Sequence, residues 1–171
     1  MTGTGNREPG TGSRERAVEE FKALRGVEPF GPFVDLLVNP ELMNRVSALG
    51  EYLRFRSALP PRLSEFVILI TAAHWQQRFE WDTHAPIAAK AGVPQAVIDA
   101  IWAHAPPDGL DREQQALYEL CITLHRERAV SPALRERTQA VLGEQAAIDA
   151  IAICGYYAML AMVLNSRQSR I

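Results

Sequence analysis

Lysine is nearly absent from this chain: of its 18 basic residues only Lys22 and Lys90 are lysine, and arginine supplies the rest of the positive charge. We read this as compositional bias rather than as a set of bidentate carboxylate clamps. A basic surplus is absent as well, because 20 acidic residues offset the 18 basic ones and leave a formal charge of -2. That balance argues against phosphate-backbone binding, so nucleic acid is not an expected partner. Cysteine is scarce: Cys121 and Cys154 lie in unrelated segments with no CxxC and no third partner. Two cysteines so placed exclude a disulfide framework and a zinc site, and a reducing cytoplasm fits this usage.

Long uncharged runs are missing too. The longest, Ala150 to Leu164, is 15 residues and would span roughly 22 Å as a helix, short of the ~30 Å hydrocarbon core. It reads as a buried helix rather than a membrane span, and its apolar character on all sides calls for a central position or burial against another subunit. Met1 to Ser13 is Gly/Thr-rich without an apolar h-region, so no signal peptide is expected there. We take 1–13 as a flexible tail and 14–171 as a single all-α domain. GxGxxG, GxxxxGK[ST], GxSxG, HxH, HExxH and paired ExxH motifs are all lacking, which leaves nucleotide, serine-hydrolase and metal chemistry without motif support.

What is present is apolar content, 47% of 171 residues, enough for one sizeable core. Apolar residues recur at three and four spacing, and no useful length alternates in a two-residue period, so the chain reads as all-α. Even Val67-Ile68-Leu69-Ile70 continues in both directions past strand length without a turn signal. The punctuation predicts helices at 14–25, 40–58, 61–77, 80–91, 94–104, 111–128, 131–142 and 145–165. Pro61, Pro94, Asp111 and Ser131-Pro132 open helices, and Gly92 closes one. The helices at 61–77 and 80–91 are expected to form an antiparallel pair in the core.

Reactive side chains concentrate between Trp75 and Pro86. Glu80 and His84 are four apart, so on one helix they share a face and can pair as acid and base, with Gln77 a turn earlier. Pro86 would be tolerated if that helix began close to Glu80. The same spacing also describes an ordinary surface ion pair. Trp75 and Trp81 fit either packing or a substrate wall, and His74 either a helix end or a site. Glu65 sits on a largely apolar stripe, which makes it either an edge residue or a deliberately buried acid with its pKa raised.

Pro61-Arg62-Leu63-Ser64-Glu65, Val67-Ile68-Leu69, His74-Trp75, Phe79-Glu80-Trp81, His84 and Ala88 to Gly92-Val93-Pro94 together resemble the carboxymuconolactone decarboxylase family. Leu117-Tyr118-Glu119-Leu120, Val130-Ser131, Gly143-Glu144 and Gly155-Tyr156-Tyr157 through Leu164-Asn165 are similar to the C-terminal half of its longer members, so the resemblance runs over about 35–166. The family's alkylhydroperoxidase D-like branch carries a C-x-x-C-x-x-x-H pair. Aligned on His84, those cysteine positions hold Gln77 and Glu80, while Glu65 and His84 match the retained glutamate and histidine. Thiol peroxidase chemistry needs two thiols and is disfavoured.

The resemblance therefore implies the decarboxylase side: a helical bundle forming a homotrimer or hexamer, using no cofactor and acting on a small carboxylated unsaturated lactone or related acid. On this basis His84 is the expected acid/base, Glu80 its orienting partner and Glu65 a second proton-transfer or orienting group. Arg78 or Arg62 would hold the substrate carboxylate, and His74, Trp75 and Trp81 would line the site. An isomerase or tailoring enzyme of the same family and a non-catalytic oligomeric binding protein remain the alternatives.

Overall fold

The computed structural model describes residues 11–167, with side chains from Ser13. Among the described residues there are helices and no strand: α1 (Thr11–Arg25), α2 (Pro32–Leu36), α3 (Pro40–Phe55), α4 (Pro61–His74), α5 (Arg78–Lys90), α6 (Gln95–Trp102), α7 (Arg112–Glu127), α8 (Pro132–Leu142) and α9 (Glu144–Asn165). The sequence is therefore all-α, as its periodicity predicts. Of the 1–13 tail, 1–10 lie outside the described residues, and 11–13 belong to α1. α2 has no counterpart in the sequence reading. Its five residues are too few to show a 3.6-residue period, and it is nucleated by Pro32 at its first position after Gly31 at φ 53.

The chain divides into two compact units, one up to Glu51 and one from Tyr52. In the first, the Phe21 ring meets Phe33 at 4.9 Å and Phe30 at 6.4 Å. Arg25 lies over Phe33 at 5.3 Å and donates to the Ser47 carbonyl at 2.9 Å.

In the second unit α4 is the central helix. Every residue from Leu63 to Ala73 is buried, and α5, α6, α7 and α9 all pack against it. A helix that is apolar all round is stable only with such cover, and burying each large side chain contributes about 1.5–3 kcal/mol. That is why four successive β-branched or γ-branched residues, Val67 to Ile70, sit here as helix. The tripeptide Trp75-Gln76-Gln77 turns the chain from α4 into α5, with Gln76 at φ 50. Gln77 caps α5 by accepting from the Phe79 N–H at 2.8 Å and donates to Asn165 Oδ1 at 2.6 Å. Asn165 in turn donates to the Trp75 carbonyl at 3.1 Å, so the end of α9 clasps the turn.

Because the cap is Gln77, α5 begins at Arg78, and Pro86 stands inside the helix rather than in its opening turns. Its ring faces solvent, where water can satisfy the Asp82 carbonyl that it leaves without a helical donor. α9 is 22 residues long and contains an 18-residue window of mean hydropathy 1.9, long and apolar enough to cross a membrane by those measures. The 15-residue run underestimated it, because Glu144 to Asp149 extend the helix. It nevertheless packs as a core helix does, against α4, α7 and α8, and buried Asp149 accepts from the Ala58 N–H at 2.7 Å. Ile148, Gly155 and Met162 remain exposed along one face.

Asn165→Ala removes both arms of the clasp and leaves Gln77 Nε2 and the Trp75 carbonyl unpaired. We expect a cost of about 1–3 kcal/mol, read as a lower urea midpoint at unchanged m-value.

Candidate functional site

α4, α5 and α9 converge on one buried ionisable cluster. Glu65 stands in the first half of α4, and Glu80 and His84 are one turn apart on α5. Their exposures are 3%, 4% and 3%. The shared face predicted from the four-residue spacing is present, but the tighter partner comes from the other helix. His84 Nδ1 lies 2.6 Å from Glu65 Oε2, whereas His84 Nε2 is 3.6 Å from Glu80 Oε2. With the Glu65 carboxylate accepting, His84 donates from Nδ1 and turns Nε2 toward Glu80. Glu65, rather than Glu80, is thus placed to orient the ring. The 3.6 Å gap is too long for a hydrogen bond.

Burial pushes the Glu80 carboxyl above its ordinary value, opposed by His84 and Arg54 and assisted by Glu65. A carboxyl so raised keeps its proton to higher pH and can act as a general acid. The Tyr157 ring of α9 stands edge-on to His84 at 5.1 Å, and burial drives its phenol well above the ordinary range, so it stays neutral. Arg54, in the last turn of α3, reaches Glu65 Oε1 at 3.4 Å. Its Nε is buried and has no hydrogen-bond partner among the described residues. Neither Arg54 nor Tyr157 was among the residues the sequence singled out. Tyr157 lies within the quoted Gly155-Tyr156-Tyr157, but nothing in the sequence marks Arg54.

The remaining sequence candidates are engaged elsewhere. Arg62 pairs with Asp111 at 2.7 Å and Glu113 at 3.3 Å. Arg78 pairs with Asp82 at 2.9 Å and lies over the Trp102 ring at 5.5 Å. Trp81 packs on Trp102 at 4.7 Å, and His74 stacks on His125 at 4.6 Å. Trp75 meets His74 edge-on at 6.2 Å, and its buried Nε1 has no hydrogen-bond partner among the described residues. No hydrogen bond or ion pair joins any of these five to Glu65, Glu80 or His84 among the described residues.

Residues 40–120 match the model of the carboxymuconolactone decarboxylase family. Among solved structures, the chain is similar to the apo crystal structure of the debrominase Bmp8. The identity is 16% and the TM-score 0.68, covering 100% of this chain and 94% of that one. It is also similar to a cysteine-to-alanine variant of Bmp8 in complex with 2,3,4-tribromopyrrole, at 16% identity and TM-score 0.67, covering 99% of this chain and 92% of that one. At that identity the likeness establishes the fold. No curated protein matches the chain.

The raised Glu80 carboxyl has a consequence for stability. A carboxyl whose folded pKa lies above its unfolded value, 4.5, favours folding below that value and loses this contribution as pH rises through the folded pKa. Glu80→Gln lacks the titration. The melting temperature of the variant relative to the parent is therefore expected to rise as pH increases from about 4.5. A difference independent of pH in a melting series would refute the raised pKa.

Proposed function

We propose, from the match of residues 40–120 to the carboxymuconolactone decarboxylase family model, that the Glu65–His84–Glu80 cluster is a cofactor-independent acid–base site. Its reaction is decarboxylation of a small carboxylated unsaturated lactone or related enolisable acid, in a cytoplasmic route of aromatic-compound breakdown. The observation that carries this reading is His84 held between two buried carboxyl groups, one hydrogen-bonded at 2.6 Å and the other 3.6 Å away. Solvated, unconnected side chains would have favoured a structural or binding role instead.

Loss of carbon dioxide leaves an electron pair that delocalises into a conjugated carbonyl, so the protein must hold the carboxylate, stabilise the developing oxyanion and protonate a carbon. In the proposed sequence the Arg54 guanidinium, whose Nε has no hydrogen-bond partner among the described residues, holds the substrate carboxylate until the C–C bond breaks. This role passes to Arg54 because its guanidinium, unlike those of Arg62 and Arg78, lies at the Glu65–His84 pair, which it meets at 3.4 Å. Glu65 fixes the His84 ring through Nδ1. The protonated Glu80 carboxyl passes its proton to His84 Nε2, which gives it to the carbon that has lost carbon dioxide, and Glu80 is left as carboxylate. Such acid–base terms supply about 10²–10⁴-fold.

Incubating the protein with a mixture of carboxylated lactones and unsaturated acids, and following masses, tests the reading. A product lighter by carbon dioxide is expected with the parent, and His84→Ala and Glu65→Gln should each lower its formation by about 10²–10⁴-fold. Arg54→Gln should raise KM more than it lowers kcat. Retained specific activity in His84→Ala and Glu65→Gln, alongside a lowered melting temperature, would make the cluster a core polar network.

We also propose a homotrimer or hexamer, supported by the exposed stripe of α9, where Ile148 is 46% and Met162 52% exposed. Apolar surface of this kind is commonly covered by a symmetry-related copy. Light scattering is expected to give three or six times the chain mass, and Met162→Glu to shift it downward. A monomer at micromolar concentration would refute the assembly.

A further inference from the structure

The acid–base chemistry uses neither cysteine, yet the fold brings the two together. Cys121 on α7 and Cys154 on α9, which the sequence places on distant helices, have their Sγ atoms 3.5 Å apart in the core, at 0% and 5% exposure. The surroundings are not those of an inert buried pair. His125, one turn after Cys121 on α7, and Thr71 of α4 lie beside Cys154. Thr71 Oγ1 lies 3.1 Å from the Val67 carbonyl and 3.1 Å from His125 Nε2. When its one hydroxyl proton goes to that carbonyl, Thr71 accepts from His125, which places a proton on Nε2. His74 stacks on the His125 ring at 4.6 Å and 18° and is itself exposed, so a line of groups runs from solvent through His74 and His125 to Cys154.

The electrostatics divide the two sulfurs. The Cys154 thiol is drawn below its ordinary range by the shared S–H···S contact with Cys121 and by His125 and Thr71, against the opposing effect of burial. The same contact, together with burial, pushes Cys121 up. The 3.5 Å contact leaves each sulfur within reach of attack by the other, the geometry that disulfide formation requires. The charged and titratable groups around this end of the helix pair are His125, His74, His104 and Arg126. A cleft of about 30 Å³ opens there, lined in part by His74, His104, Ile122 and Arg126. It is roughly the volume of a single water.

We propose that Cys121 and Cys154 are a redox-active dithiol, oxidised by a small peroxide to an intramolecular disulfide that ties α7 to α9, with His125 as proton carrier. Cys154 gives its proton to His125 and its thiolate attacks one peroxide oxygen: an S–O bond forms, the O–O bond breaks, and the departing hydroxide takes that proton back from His125. Cys154 is then a sulfenic acid and water has left. The Cys121 sulfur attacks the sulfenic sulfur: the S–S bond forms, the S–O bond breaks, and the hydroxyl leaves with the Cys121 proton as a second water. Two thiols and one hydrogen peroxide become one disulfide and two waters. The pair is not the family's C-x-x-C, whose positions here hold Gln77 and Glu80. The burial of both sulfurs restricts the oxidant to small molecules. Cys154 lies one turn before Tyr157, so the cross-link is made beside the ring that packs on His84.

The test uses the full chain, reduced and freed of reductant, treated with equimolar hydrogen peroxide, unfolded in a maleimide and weighed intact. The expected result is simultaneous loss of both thiols in a monomeric chain lighter by two hydrogen atoms, restored by dithiothreitol. Cys121→Ser is expected to stop with oxygen added at Cys154. Cys154→Ser should slow oxidation of the remaining thiol at least about tenfold, the effect of one pKa unit on thiolate fraction. His125→Gln should slow oxidation and move its pH profile upward. Thiols that survive peroxide under conditions that oxidise glutathione, loss of one thiol without the other, or disulfide-linked chain dimers would each overturn the proposal. An unchanged oxidation rate in Cys154→Ser would do so as well. The parent measurement alone decides the main point should a variant fail to fold, and none of these readouts depends on the acid–base activity.

Discussion

Everything at the candidate site depends on one contact between helices, the 2.6 Å hydrogen bond from His84 on α5 to Glu65 on α4. Two ionisable groups taken out of water cost several kcal/mol each, and their attraction repays this only when the geometry is close and their remaining polar atoms are met. The contact is therefore poor at holding helices together and demanding of helices already held. That inverts the usual reading of a buried pair: here packing fixes the helices, and the pair exploits that fixity. It also explains why α4 is so thoroughly covered. Eleven consecutive buried residues keep Glu65 at one height and one rotation in the bundle.

The second requirement is that α5 begin at the right residue. The Gln77 side chain supplies the capping acceptor and also spends its amide on Asn165, so the start of α5, the turn before it and the end of α9 are fixed together. From that start, Glu80 falls in the first turn and His84 one turn later. The favourable field of a helix N-terminus acts on a carboxylate in that turn, yet burial outweighs it and Glu80 is pushed toward its neutral form. The two carboxylates are chemically identical in sequence. Their difference in role comes from Arg54, which reaches Glu65 Oε1, and from the distances each keeps to the imidazole.

Much of this was legible in the sequence because helical spacing is local information. The boundaries of α4 to α9 follow from prolines, glycines and caps within a few residues of each end, and the shared face of Glu80 and His84 follows from their four-residue spacing. What was not legible is what the helices bring together across the chain. Glu65 lies 19 residues from His84 and Arg54 11 residues from Glu65, separations that no helical period encodes. Spacing therefore favoured the local partner, Glu80, over the nearer one. The same limit hid the cysteines, 33 residues apart in sequence and 3.5 Å apart in space. It also left Arg62 and Arg78 as substrate-binding candidates, although acidic partners on α7 and α5 already hold them.

Two clusters of ionisable groups share the same pair of helices. Glu65 and Thr71 are six positions apart on α4, roughly 9 Å along its axis, and serve the carboxylate cluster and the thiol cluster respectively. Cys154 and Tyr157 do the same on α9, one turn apart. Where a thiol pair and the retained histidine occupy one helix start, as in the C-x-x-C-x-x-x-H pattern, redox and proton transfer are a single event. Here the carboxyl of Glu80 stands at one of those cysteine positions, and a carboxyl can give a proton but cannot form a disulfide. With Gln77 and Glu80 at those positions, the residues beside His84 can exchange protons but cannot form a disulfide. The chain's own sulfurs lie on α7 and, one turn before Tyr157, on α9, so the two clusters are separate while the packing of α4 and α9 keeps them adjacent.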